Sequence, residues 1–150
     1  MNNILNSATD TKTMSPLVKP LEFDIKGDKD GCLVALEENK NIPFDIKRVY
    51  YIFGTQKNIR RGFHAHKQIT QVAICINGSC TMLLDNGEDK EKVVLDSPQK
   101  GLLIETMVWH EMFDFSENCV LMVLADDFYS EDDYIRDYDQ FLNFKEINIL

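Results

Sequence analysis

Three histidines occur in the 150 residues, and two of them stand one residue apart. His64 and His66 lie in "RGFHAHK", and His110 lies in "VWHEM". Residues two apart on a strand project to one face, so His64, His66 and Gln68 are expected side by side. Imidazole titrates near neutral pH and serves as general acid, general base or metal ligand. Two histidines with a carboxylate would form the facial triad of a non-haem iron site. The position where that carboxylate is expected, early on the next strand, is Gln71. A neutral amide is a poor ligand for a divalent ion, so acid–base chemistry is favoured over metal. With His110 the set becomes three imidazoles, which can hold zinc.

Charge around the pair is unusual. The net charge is −9, which argues against a nucleic-acid backbone as partner. Between Asp45 and Asp85, however, no acidic residue occurs, while Lys47, Arg48, Lys57, Arg60, Arg61 and Lys67 all do. A basic island in an acidic chain suits a small anionic ligand such as a phosphate or diphosphate.

The elements that must hold these residues read as strands. Short β-rich runs, "CLVALEE", "FDIKRVYYIFG", "QVAICINGSCTMLLD", "GLLIETMVWHEMFDF" and "CVLMVLADD", alternate with turns. Asn77-Gly78 and Asn86-Gly87 are hairpin signals, because these dipeptides tolerate positive φ. About eight strands without helical period predict an all-β sandwich or barrel. One helix is expected near the C-terminus, opened by Ser130 three residues before Asp133, with Tyr134, Tyr138, Phe141 and Leu142 along one face. Residues 1–19 lack periodicity and read as a flexible tail, leaving 20–150 as one domain. No apolar run is long enough to span a membrane, and the N-terminus lacks the order of a signal peptide, so a cytoplasmic protein is expected. The four cysteines, Cys32, Cys75, Cys80 and Cys119, have no CxxC spacing and read as buried thiols.

Gly62-Phe-His64-Ala-His66, then Gln71 after four residues and Gly78 after six more, resembles the first cupin motif with its glutamate replaced. "ETMVWHEM" resembles a second motif that keeps only His110. More specifically, "LVALEENKNIPFDIKRVYYIFG", "RGFHAHK", "INGSC", "LDSP", "WHEM" and "VLMVLADDFYSEDDYIRDYDQF" resemble the bacterial sugar 3,4-ketoisomerases, from about Gly31 to Phe141. The resemblance implies a cupin-type small β-barrel (jelly roll) with a short C-terminal helix. It implies a homodimer that uses no metal and no cofactor. The substrate would be a thymidine-diphosphate-linked 4-keto-6-deoxyhexose. The product would supply an aminotransferase making 3-amino-3,6-dideoxy sugars for surface polysaccharide such as lipopolysaccharide O-antigen.

Moving a ketone from C4 to C3 through an enediol needs a base for carbon protons and a group for oxygen protons. The resemblance assigns His64 and His66 as this catalytic pair, and we place His64 on carbon and His66 on oxygen. Tyr50 and Tyr51 fall on opposite faces of a strand, so only one can reach the cavity; Tyr51 is favoured as proton donor. Arg48 and Arg61 are candidates for the diphosphate, since guanidinium forks match phosphate oxygens. Trp109 is a candidate stacking surface, though a core tryptophan is the more natural reading. Tyr50, Lys67, Gln71 and His110 complete the expected substrate-binding set. The strand around Leu21–Ile25 is expected to add to a partner's sheet. Two other readings stay open: a sugar-nucleotide 3,5-epimerase of the related cupin type, and a non-catalytic cupin that binds a sugar nucleotide.

Overall fold

The computed structural model describes residues 16–148. Most of the expected tail, residues 1–15, lies outside the described residues. The remainder of that tail is structured: Leu17 and Val18 pack against the core, and Lys19 begins a strand. Twelve strands occur among the described residues: β1 (Lys19–Glu22), β2 (Ile25–Asp28), β3 (Gly31–Val34), β4 (Arg48–Ile52), β5 (Arg61–His66), β6 (Gln71–Asn77), β7 (Cys80–Asp85), β8 (Lys90–Leu95), β9 (Lys100–Ile104), β10 (Trp109–Phe113), β11 (Val120–Ala125) and β12 (Tyr134–Ile135). One helix, α1 (Tyr138–Ile147), follows.

Two five-stranded antiparallel sheets, ordered β1-β9-β6-β11-β4 and β12-β5-β10-β7-β8, enclose the core; β2 and β3 form a separate hairpin. The all-β barrel with a short C-terminal helix is as expected. Alternation along each strand decides which side chains go inside. On β6, Ala73 and Cys75 enter the barrel interior while Val72 and Ile74 pack outward against Phe23, Ile42 and Phe44. Both faces of this strand are therefore covered, which is why "VAIC" runs apolar without a break. Gly78 and Gly87 adopt φ of +71° and +93° at the two predicted hairpin turns. Asn86 Oδ1 accepts from the backbone N–H groups of Glu88 and Asp89 and so shapes the second of them.

Strand β1 pairs with β9, Leu21 opposite Gly101, and stands at the edge of its sheet, with its other side unpaired among the described residues. Two expectations are corrected here. First, β5 ends at His66, so Gln68 is exposed and does not share the histidine face. Second, the helix starts at Tyr138, not near Ser130. Ser130 makes no side-chain cap; it precedes a 3-10 turn (Glu131–Asp133) that leads into β12. Asp137 is the true N-cap, its Oδ1 accepting from Gln140 N–H at 2.9 Å. Tyr138, Phe141 and Leu142 do line the inner helix face, with Phe141 fully buried against Ala65, Trp109 and Ile135. Tyr134 belongs to the strand instead.

Candidate active site

Strand β5 carries His64 and His66 into one open end of the barrel, where β10 delivers His110. Their ring centroids lie 4.4 Å (His64–His110), 4.9 Å (His64–His66) and 5.8 Å (His66–His110) apart. All three rings are buried. Pairing between β5 and β10 is irregular: His110 faces His64, the next residue Glu111 faces Gly62, and Phe63 bulges out with φ +57°. A bulge of this kind re-aims the side chains beyond it. Gly62 permits it, since a Cβ there would stand 2.7 Å from the His110 carbonyl oxygen.

The hydrogen bonds of the three rings differ. His110 Nδ1–H donates to the Val108 carbonyl at 3.1 Å. His66 Nδ1–H donates to Asp133 Oδ2 at 3.0 Å, which leaves Nε2 with its lone pair and no partner among the described residues. Neither nitrogen of His64 has a hydrogen-bond partner among the described residues. Burial lowers the His64 pKa to about 4 and the His110 pKa to about 3. His66 is also lowered by burial, against the opposing pull of Asp133. At neutral pH all three are uncharged, so free imidazole nitrogens stand ready to accept protons.

Asp133, which the sequence reading assigned to a helix cap, is the group that orients His66. Its Oδ1 also accepts from Gln68 N–H at 2.7 Å and its Oδ2 from Ile69 N–H at 3.4 Å. These bonds outweigh local capping preference and hold the segment as a strand beside β5. Tyr134, opposite His66 on that strand, packs its ring 4.8 Å from His64 and 4.5 Å from His66. Arg136 lies 4.2 Å over Tyr134 and is held by Glu131 through Nε and Nη2. Sequence reasoning missed Asp133, Tyr134 and Arg136 as site residues. The available signal was Asp137-x-x-Gln140, a second and better helix start that frees the preceding residues for a strand.

A cleft of about 540 Å³ opens over His64, bordered by Arg48, Tyr50, Arg61, Phe63, Tyr134 and Arg136. Arg48 and Arg61 meet there as expected. Arg48 lies 4.5 Å over the Tyr50 ring, and its buried Nη1 has no partner among the described residues. Gln71 points inward, donating from Nε2 to Tyr50 Oη at 3.0 Å.

The remaining sequence-predicted residues fall elsewhere. Tyr50 and not Tyr51 faces the interior. Tyr50 shares the β4 face that packs on the barrel core, whereas Tyr51 is 63% exposed and reaches only the rim of the cleft. Trp109 alternates with His110 on β10 and is therefore turned outward, buried under α1, with Nε1–H donating to Glu111. Lys67 projects away from His66; its Nζ donates to the Asp132 carbonyl and lies 5.2 Å from the Phe144 ring. Arg60 pairs with Glu111 at 2.8 Å over Phe113, outside the cleft.

The three histidines place ligand atoms within 4.8 Å of one another, close enough to share one ion. Among the described residues no carboxylate joins that set, and the Gln71 amide nitrogen is committed to Tyr50.

The family model described as FdtA: WxcM-like, C-terminal, matches residues 17–146. The chain is 59% identical over 123 residues to the TDP-4-oxo-6-deoxy-alpha-D-glucose-3,4-oxoisomerase of Aneurinibacillus thermoaerophilus; the match spans 82% of this chain and 88% of that one. The solved structure of QdtA, a sugar 3,4-ketoisomerase from Thermoanaerobacterium thermosaccharolyticum in complex with TDP, is 45% identical with a TM-score of 0.87, covering 91% of this chain and 100% of that one. An RmlC epimerase of Mycobacterium tuberculosis, 15% identical with a TM-score of 0.68 over 79% of this chain and 68% of that one, shares the fold alone.

Proposed function

The chain belongs to the FdtA, WxcM-like C-terminal family, and from that premise we propose that it is a sugar-nucleotide 3,4-ketoisomerase. Its substrate is a thymidine-diphosphate-linked 4-keto-6-deoxyhexose, and its product is the 3-keto isomer. The observation that carries this reading is the buried imidazole pair with nitrogens unpartnered among the described residues: His64 at the floor of a cleft ringed by arginines, and His66 with its ring 4.9 Å away.

The reaction moves one carbon-bound proton and one hydroxyl proton. A neutral His64 accepts the proton from C3, and the electrons of that bond form the enediol. The same group returns a proton to C4 while the hydroxyl proton passes from O3 to O4 by way of His66 Nε2. The two carbons exchange oxidation states, so no redox partner is needed. Asp133 supports the charge that His66 acquires while it carries a proton. Tyr50, in the place expected of Tyr51, offers a hydroxyl on the inner face of β4, held by Gln71. Arg48, Arg61 and Arg136 border the space that suits the diphosphate.

Turnover without metal is part of this reading and is supported by Gln71 standing where a ligating carboxylate is expected. A homodimer is supported by the apolar outer face of the edge strand and the residues after it: Val49, Tyr51 and Phe53 are 54%, 63% and 69% exposed. A cytoplasmic setting is in keeping with four free cysteines. No helix among the described residues is long and apolar enough to cross a membrane. An aminotransferase acting on the new C3 ketone is the consumer of the product, leading to surface polysaccharide.

Carbon-13 NMR of the thymidine-diphosphate-linked 4-keto-6-deoxyglucose incubated with the protein tests the assignment. The carbonyl resonance is expected to move from C4 to C3. A spectrum in which it stays at C4 overturns the reading.

A further inference from the structure

Cysteines stand four residues along the barrel from Gln71 on β6 and from Leu84 on β7. Cys75 on β6 lies four residues beyond Gln71, and Cys80 on β7 lies four residues from Leu84, the partner of His110. Four strand residues span about 13 Å, so this end is separate from the histidine cleft. Cys119, which leads into β11, joins them. The three are 0%, 1% and 2% exposed, and their Sγ atoms all lie within 4.8 Å of one another. Cys75 Sγ is 3.6 Å from Cys119 Sγ and 3.1 Å from the Asn77 carbonyl oxygen. Gly78 makes the convergence possible: with φ +71° it brings the β6–β7 turn against the loop before β11, and a Cβ there would meet Ser116 Oγ at 2.2 Å and Cys119 Cα at 3.1 Å.

We propose that Cys75, Cys80 and Cys119 form a binding site for one soft, thiophilic metal ion of the zinc or copper(I) class. An ion with bonds of about 2.3 Å to each of three sulfurs holds those sulfurs roughly 3.8–4.0 Å apart, in trigonal or tetrahedral arrangement. Cys75 Sγ and Cys119 Sγ stand 3.6 Å apart, close to that value, and Cys80 Sγ lies within 4.8 Å of both. All three donors are sulfur, with no carboxylate or imidazole among them, and such a set selects soft ions over magnesium or calcium. On binding, each thiol releases its proton to solvent and coordinates as thiolate. The ion would join β6 and β11 of one sheet to β7 of the other and so staple the barrel end opposite the cleft. Cys32, exposed on β3, takes no part.

The test is anaerobic titration of the fully reduced chain with Cd²⁺ alone, read by ultraviolet thiolate-to-cadmium charge transfer. Histidine gives no such band, so occupation of the imidazole trio is silent in this experiment. Because the thiols are buried, the titration is run both on native protein and on protein refolded with Cd²⁺ present. One ion per chain is expected, with a cadmium-113 chemical shift in the range of a three-sulfur site. Cys32→Ser is expected to keep the band. Cys80→Ser and Cys119→Ser are expected to weaken binding at least tenfold. The wild-type cadmium shift decides the matter even if those variants fail to fold. Absence of the band in both native and refolded protein overturns the proposal. So does a band lost in Cys32→Ser and retained in Cys119→Ser, which places the ion on the exposed thiol.

Discussion

Removing the Asp133 carboxylate is expected to slow turnover more than it weakens substrate binding. In Asp133→Asn the amide no longer fixes the His66 proton on Nδ1 or supports a charged ring. The rate is expected to fall by about 10²-fold, the lower end of what a lost acid–base group costs, with KM little changed. Steady-state kinetics checks this, and an unchanged kcat contradicts it. The arginines separate from Lys67 by the same kind of comparison. Arg48→Ala and Arg61→Ala are each expected to remove a charge-assisted hydrogen bond to the diphosphate worth about 1.5–3 kcal/mol, or roughly tenfold to a hundredfold in affinity for thymidine diphosphate. Lys67→Ala is expected to leave that affinity unchanged, because its ammonium is turned to Asp132 on the outside. Calorimetric titration with thymidine diphosphate distinguishes the three variants. Equal losses in Lys67→Ala and Arg61→Ala would mean that the island acts only through its summed charge.

At the level of elements, Gly62 sets the β5 bulge that brings His64 against His110. Gly62→Ala places a methyl group 2.7 Å from a backbone oxygen at φ +93°, so β5 must shift. The cost is on the order of 1–3 kcal/mol in stability, with a loss of activity beyond what the unfolded fraction explains. Urea denaturation alongside assays at low denaturant checks it; wild-type stability and activity together would contradict it. The histidine pair, the hairpin turns and the barrel class were legible in the sequence, because period-two alternation and Asn-Gly turns are local signals. The segment from Ser130 to Arg136 was not. Ser130 and Asp133 have the spacing of a helix cap, and only the pairing of Asp133 with His66, 67 residues away in sequence, makes this segment a strand. Tyr50 and Tyr51 were legible as opposite in direction, but which faced inward depended on β11, where Tyr50 lies opposite the core residue Val123. Trp109 and Lys67 were misplaced for a related reason. Trp109 is adjacent to His110 and therefore on the other face of β10, while Lys67 follows the last residue of β5 and turns to Asp132.

For the whole molecule, burying neutral histidines makes stability depend on pH. The His64 and His110 pKa values in the folded chain, about 4 and about 3, lie below the ordinary 6.5. Between those values the unfolded chain binds more protons than the folded one. The stabilising contribution is therefore complete above pH 6.5, declines as pH falls below it, and is gone once pH passes through 4 to 3. Each group contributes a slope of up to about 1.4 kcal/mol per pH unit in that window. Urea midpoints at pH 7, 5.5 and 4.5 are expected to fall, and to fall less steeply in His110→Asn. Identical slopes in the two proteins would show that the histidine cluster is not what titrates. The most direct test of the account as a whole joins this cluster to the chemistry. The 4-keto sugar nucleotide is incubated in deuterated water with the wild-type chain and with His64→Asn, and proton NMR follows each ring position. Wild-type protein is expected to move the carbonyl to C3, placing deuterium at C4 of the product and at C3 of returned substrate. His64→Asn is expected to do neither while still binding thymidine diphosphate. Deuterium appearing at C5 with the carbonyl still at C4, or full exchange at C3 in His64→Asn, would contradict the account.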